Sequence, residues 1–186
     1  MDYIASPATK DKARHANSAA CNPALLRLES MASSNRHPSP IMPRKSIALP
    51  ETFVFTTGYD VLYTDVNAAN HLGADRLLSI AMEAQLRFIR YLGHTNAIAF
   101  EDAGLIMAHA ETAYMAEADY ADHLLIELGA REFETHSFQF VYRISKDDGA
   151  REVARVATTL LFFDYQQKCV VPVPDGFREQ ILGKFK

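Results

Sequence analysis

The alternation of apolar and polar residues changes abruptly near Pro50. From Met1 to about Leu49, serine, alanine, proline and basic residues occur without a sustained apolar period. Such a composition buries too little apolar surface to offset chain entropy, so we predict a disordered N-terminal extension over residues 1–49. Residues 50–186 carry the periodic apolar pattern of one folded domain.

Within this domain the pattern predicts one long helix that follows a strand. Phe53 to Tyr63 is rich in strand-forming residues and leads into a polar loop over 64–70. Leu72 to Leu92 places apolar residues at spacings of three and four, which predicts a helix of about 30 Å. Gly93 then supplies a helix stop.

Four further predicted strands follow the helix with short turns between them. Alternation is clearest at Phe138, Phe140 and Tyr142, and Asp147-Asp148-Gly149 is typical of a hairpin turn. One apolar helix facing a five-stranded antiparallel sheet is an α+β arrangement in which the sheet curls around the helix. The later elements are predicted at Leu105 to Glu117, His123 to Glu132, Thr135 to Lys146 and Glu152 to Tyr165, with a short helix at Asp175 to Lys186.

Charge and cysteine content narrow the classes of partner. Seven of the 19 basic residues but only three of the 23 acidic residues lie in the first 49, so the rest of the chain has a net charge of -8. An acidic domain without a basic stripe argues against nucleic acid, and no apolar run is long enough to span a membrane. Cys21 and Cys169 have neither disulfide nor metal spacing, which favours a metal-free protein in a reducing compartment. We predict a cytoplasmic location, with organelle targeting by the N-terminal extension as the alternative.

Three segments of the domain have a recognisable spacing of residues. They are Tyr63-x-Asp65-x-Asn67-x-x-Asn70-His71-Leu72-Gly73, Tyr114-x-x-Glu117-Ala118, and Ser137-Phe138-x-Phe140-x-Tyr142. These segments resemble the 4-hydroxybenzoyl-CoA thioesterase-like hotdog family over about residues 53–174. The resemblance implies a hotdog fold, in which a five-stranded antiparallel sheet wraps a long central helix. It further implies a thioesterase that acts on acyl-CoA or acyl-carrier thioesters without metal or cofactor, as a homodimer or tetramer with each site at a subunit interface.

The start of the predicted helix carries the first candidate site residues. Unpaired amides at Leu72, Gly73 and Ala74 are positioned to receive the oxyanion of a thioester under attack. His71 suits a general base or a donor to the acyl oxygen, and its alternative role is to cap the helix. Asn67 stands where the family has an aspartate, so we expect it to orient water or substrate without acting as a base.

Two carboxylates complete the candidate catalytic residues. Asp65 either supplies a carboxylate to the site or accepts hydrogen bonds from nearby backbone amides. Glu83 lies about 18 Å from His71 along the helix axis, so the two cannot act on one atom within one chain. It either pairs with Arg87 one turn later or approaches the site of a partner subunit.

Two other functions remain open at the level of sequence. A hotdog hydratase or dehydratase would act on similar thioesters, and a non-catalytic acyl-thioester-binding protein would explain why Asn67 replaces the expected carboxylate. His109 and Glu111 are predicted to share a strand face with Met107, where they either contribute to a site or are exposed polar positions.

Overall fold

The computed structural model describes residues 46–95 and 103–183, and its main elements follow the predicted order. Within these residues no helix is long and apolar enough to cross a membrane. Strand β1 covers Phe55–Asp60, a 3₁₀ turn covers Tyr63–Asp65, and helix α1 covers Arg76–Tyr91. They are followed by β2 Gly104–Tyr114, β3 His123–Arg131, β4 Ser137–Lys146, β5 Arg151–Asp164, β6 Cys169–Val171 and helix α2 Phe177–Gly183.

The strands form one antiparallel sheet in the order β1-β3-β4-β5-β2. The short strand β6 pairs with the end of β5, so the described sheet has six strands and the prediction of five was one too few. The predicted C-terminal helix is present between Phe177 and Gly183, and residues 184–186 of that prediction lie outside the described residues.

Helix α1 packs its apolar side against one face of the sheet. The Phe88 and Phe140 rings meet edge to face with their centroids 5.8 Å apart, which joins the helix to β4. Tyr142, also on β4, is fully buried and donates to Gln85 Oε1 on the helix at 3.1 Å. The helical residues buried in this core recur at spacings of three and four, as an amphipathic helix requires: Leu77, Ile80, Ala81, Ala84 and Phe88.

The helix begins four residues later than predicted. Leu72 forms an isolated antiparallel bridge with Val66, and its N–H donates to Ala118 O at 2.7 Å. Gly73 N donates to Asp65 O at 2.8 Å. The bridge to Val66 makes Leu72 part of an extended pairing, and the helix starts at Arg76.

Residues 46–49, which belong to the predicted disordered extension, contact the opposite face of the sheet. Ile47 is only 5% exposed there, and Arg155 Nη1 donates to Ile47 O at 2.7 Å. Residues 1–45 of the predicted extension lie outside the described residues. Ile47 belongs to a second apolar cluster with three sheet residues, Ala113, Val141 and Ala157.

A β-bulge in β2 changes which side chains share a face. Met107 pairs with Leu160 and packs against the core beneath α1, whereas His109 pairs with Thr159 after the register shift. The prediction that His109 and Glu111 share a face with Met107 is therefore wrong, since one extra residue between them reverses the alternation.

Candidate active site

A cleft of about 280 Å³ opens beside the start of α1. Its first wall is the loop before the helix, which contributes Asn67, His71 and Ala74. Its second wall is the end of β2 and the turn that follows, which contributes Tyr114 and Glu117. The cleft thus gathers polar side chains from two segments that are distant in sequence.

The Asp65 side chain is buried behind the loop that precedes α1 and does not line the cleft. Its carboxylate is fully buried and accepts hydrogen bonds from Tyr59 Oη at 2.7 Å, Leu62 N at 3.0 Å and Arg76 Nε at 2.9 Å. Burial alone would raise the pKa of Asp65, but these bonds and the charge of Arg76 outweigh it and hold the pKa below its usual range. Burial and the bond to this carboxylate also raise the pKa of Tyr59 to about 12.

The amides at the helix start differ in what they can still bind. Leu72 N and Gly73 N are already used by Ala118 O and Asp65 O, which corrects the prediction that both are oxyanion donors. The Ala74 N–H has no acceptor among the described residues, and Ala74 lines the cleft. Of the three predicted donors, Ala74 alone has an N–H that is unused among the described residues, and its role as an oxyanion donor stays a prediction.

Gly73 is buried rather than open to a substrate. An added Cβ there would lie 2.6 Å from Asp75 Oδ1 and 3.4 Å from Asp65 O. The Asp75 carboxylate would have to turn away from an added Cβ, whereas the contact with Asp65 O would be an ordinary one.

His71 and Glu117 meet across the cleft. Nδ1 of His71 lies 3.8 Å from Oε1 of Glu117, and the two side chains are 30% and 77% exposed. Asn67 is fixed on the same loop, since its Oδ1 accepts from Ala69 N at 2.8 Å and its own N–H donates to His71 O at 3.0 Å. Glu117 was not among the sequence candidates, although its place in the Tyr114-x-x-Glu117 motif was a usable signal.

Glu83 lies outside this cleft. Its Oε1 accepts from Arg87 Nε at 2.8 Å, and Arg87 Nη1 also donates to Thr57 Oγ1 at 3.0 Å and Gly58 O at 2.7 Å, which ties α1 to β1. Glu83 instead lines a second cleft of about 570 Å³ along α1. Within one chain the structure does not bring Glu83 and His71 into a common site.

No group of three or more metal-binding side chains occurs among the residues that the structure describes. Tyr114 also lines the cleft, and its Oη donates to Ala74 O at 3.3 Å. The lining of the cleft provides an imidazole, a carboxylate, a carboxamide, a phenol hydroxyl and a backbone N–H.

Comparison with known proteins shows which family the chain resembles. A family model described as the thioesterase-like superfamily matches residues 61–181. The curated 1,4-dihydroxy-2-naphthoyl-CoA hydrolase of Synechocystis is 26% identical over 129 residues, which are 68% of this chain and 94% of the relative. The crystal structure of a 1,4-dihydroxy-2-naphthoyl-CoA thioesterase from Synechocystis matches with a TM-score of 0.61 and 25% identity, over 68% of this chain and 94% of that one. A variant of 4-hydroxybenzoyl-CoA thioesterase, complexed with 4-hydroxybenzoyl-CoA, has a TM-score of 0.61 and 18% identity, over 68% and 97% of the two chains.

Proposed function

The chain belongs to the thioesterase-like superfamily as a thioester hydrolase of the hotdog fold, and we propose that it hydrolyses acyl-CoA thioesters in the cleft beside the start of α1. One observation carries this choice of site: the unused N–H of Ala74 and the imidazole of His71 line the same cleft. A thioester needs both a donor for its carbonyl oxygen and a group that accepts a proton from water.

Ala74 is the proposed oxyanion donor. It precedes a 16-residue helix whose N-terminal end carries a partial positive charge, so negative charge on the carbonyl oxygen is stabilised there. A fixed donor of this kind typically contributes about a hundred- to a thousand-fold in rate. Asp65 supports the donor indirectly, because its carbonyl bonds Gly73 N and its carboxylate bonds Arg76 on the other side of Ala74.

His71 is the proposed general base. Its ring takes a proton from water as the water oxygen attacks the thioester carbon, and the carbon–sulfur bond then breaks. The proton passes to the departing thiolate, so the products are a carboxylic acid and a thiol. Asn67 cannot accept a proton in this way, but its amide nitrogen can donate a hydrogen bond that orients the water or the substrate.

An aromatic acyl group is the proposed substrate class. The cleft combines its polar residues with an apolar wall of Leu77, Met115 and Val153, which suits a flat apolar ring. The named relatives act on 1,4-dihydroxy-2-naphthoyl-CoA and the related solved structure holds 4-hydroxybenzoyl-CoA. Both molecules are hydroxylated aryl thioesters of CoA, and this shared chemistry supports CoA over a protein carrier.

A homodimer joined through β2 is the proposed assembly. Within the described residues, β2 is an 11-residue edge strand that pairs with β5 alone. A long open edge is usually covered in natural proteins, and a second copy can do so by antiparallel pairing. In such a dimer the second cleft, with Glu83, would lie on the helix side of the joined sheets. Light scattering after size exclusion tests the state, with a monomer as the contrary result.

Release of free CoA from a panel of aryl- and alkyl-CoA thioesters, followed with a thiol-trapping dye, tests the activity. We expect turnover of aryl thioesters, and a loss of about 100- to 1000-fold in kcat for both His71→Ala and Ala74→Pro. Ala74→Gly keeps the N–H, so it separates loss of the donor from loss of the side chain. A fully active Ala74→Pro enzyme would rule out this oxyanion site, and a fully active His71→Ala enzyme would rule out the base.

A further inference from the structure

The cleft contains a carboxylate although position 67 has none. Asp65 is buried beneath the loop and Glu83 lies in a different cleft. Among the described residues, Glu117 alone supplies a carboxylate to the lining of the cleft with His71. We propose that Glu117 is a positioning residue that orients the His71 ring for proton abstraction, an inference that rests on the proposed function.

Hydrogen bonds fix the backbone on both sides of Glu117. Ala116 N donates to Val153 O at 3.1 Å, and Ala118 O accepts from Leu72 N at 2.7 Å. These two bonds fasten the turn to β5 on one side and to the loop of His71 on the other. The main chain therefore holds the carboxylate opposite the imidazole, and only the Glu117 side chain has to move.

The His71 ring and the Glu117 carboxylate are already close to each other. At 3.8 Å the Nδ1 to Oε1 separation is that of an ion pair, about 1 Å longer than a hydrogen bond. The Glu117 side chain is 77% exposed, so rotation about its own bonds can close this gap without displacing packed neighbours. Hydrogen bonds between catalytic groups are often long in the free enzyme and shorten when substrate excludes water.

The contact would select one form of the ring. A carboxylate accepts a hydrogen bond only from a protonated Nδ1, which leaves Nε2 of His71 without a proton and able to accept one from water. After that transfer both ring nitrogens carry protons, and the negative charge of Glu117 stabilises the imidazolium. Glu117 itself exchanges no proton with the substrate, so its whole effect passes through His71.

A double-mutant cycle tests this dependence. Glu117→Ala is expected to lower kcat about tenfold with little change in KM, and Glu117→Asp to recover part of the loss. In a His71→Ala background the same change is expected to have no further effect, because its target is gone. Glu179→Ala is the matched control, since Glu179 is an exposed glutamate of α2 that does not line the cleft.

Two results would overturn the proposal while leaving the proposed function intact. One is a Glu117→Ala enzyme with wild-type kcat beside an inactive His71→Ala enzyme. The other is an equal fold-loss for Glu117→Ala in both backgrounds, which would mean that Glu117 acts independently of His71. A His71→Ala enzyme with wild-type kcat would instead rule out His71 as the base, and absence of turnover in the wild-type protein would remove the proposed function itself.

Nitrogen NMR of the His71 ring gives a second readout that needs no turnover. With the ring neutral at alkaline pH, we expect the Nδ1–H form in the wild-type protein and a shift towards Nε2–H in Glu117→Ala. The same tautomer in both proteins would overturn the proposal even if the activities differ.

Discussion

The substitution Asp65→Asn tests whether the buried carboxylate of Asp65 stabilises the loop before α1. The change keeps the size of the side chain but removes its charge and turns one oxygen acceptor into a donor. Tyr59 and Leu62 both donate to Oδ2, and a carboxamide oxygen placed there can still accept from them. In the wild type, Oδ1 of Asp65 accepts from Arg76 Nε at 2.9 Å. In the variant the amide nitrogen would take the place of Oδ1, so two hydrogen-bond donors would face each other.

The expected loss of stability follows from the exposure of the two partners. Removing one member of a fully buried ion pair costs about 3–5 kcal/mol. The Arg76 side chain is 39% exposed and recovers part of its hydration, while asparagine retains two of the hydrogen bonds, so we expect a loss of about 2 kcal/mol. For a domain of this size that lowers Tm by roughly 4–8 °C.

Circular dichroism melts at several pH values provide the assay. The pKa of Asp65 lies below its ordinary value of 3.8, so its contribution is present above that pH and is lost as the pH falls through the lowered pKa. The gap in Tm between the wild type and Asp65→Asn should therefore be full at pH 7 and should narrow below pH 4. Asp60→Asn is the matched control, because Asp60 pairs with His123 at the surface with its side chain 75% exposed.

Catalysis should respond together with stability. Asp65 fixes the residues on both sides of Ala74, so kcat of Asp65→Asn should fall even at temperatures where the variant is fully folded. Equal melting temperatures at neutral pH, or a gap that widens in acid, would refute the account of Asp65 as a charged buried anchor.

Three further predictions concern residues outside the cleft. Glu83→Gln should change kcat less than about twofold, since glutamine can still accept from Arg87, whereas a loss above 100-fold would favour action of Glu83 at a partner's site. Ile47→Asp should lower the free energy of unfolding in urea by about 2–4 kcal/mol because it buries a charge, while Ala48→Asp at an exposed neighbouring position should change it little. Because the pKa of Tyr59 is raised to about 12, its stabilising contribution is present below pH 10 and is lost as the pH rises towards 12. Melting curves at alkaline pH check this, and an equal loss of Tm in the wild type and in Tyr59→Phe would contradict it.

The sequence predicts the order of the main elements well because each has its own period. Alternation along β4 and spacings of three and four along α1 are local properties, and both elements occur where expected. The bulge before His109 and the three residues of β6 have no such local signature. The burial of Ile47 is also hidden from the sequence, since its partners come from three different strands.

The sequence predicts the residues of the first wall of the cleft, the loop before α1, but not those of the second wall, the turn after β2. The loop from Asn67 to Ala74 leads directly into the helix, so its role follows from position along the chain. Glu117 lies beside His71 where the turn after β2 bonds to the loop through Leu72 N and Ala118 O, a contact between segments that are distant in sequence. The same bond removes Leu72 from the set of free amides, and no local pattern marks either consequence.

The substitution at position 67 alters the chemistry of the loop more than its shape. Asn67 Oδ1 accepts from Ala69 N at 2.8 Å, a turn that an aspartate oxygen would form equally well. Asp65 has no comparable freedom, because its carboxylate is fully buried and pairs with the partly exposed Arg76, so a neutral side chain would leave that guanidinium without its anion. We therefore expect a carboxylate to be needed at 65 to hold the proposed Ala74 donor, whereas at 67 it can be absent if His71, oriented by Glu117, takes the proton as proposed.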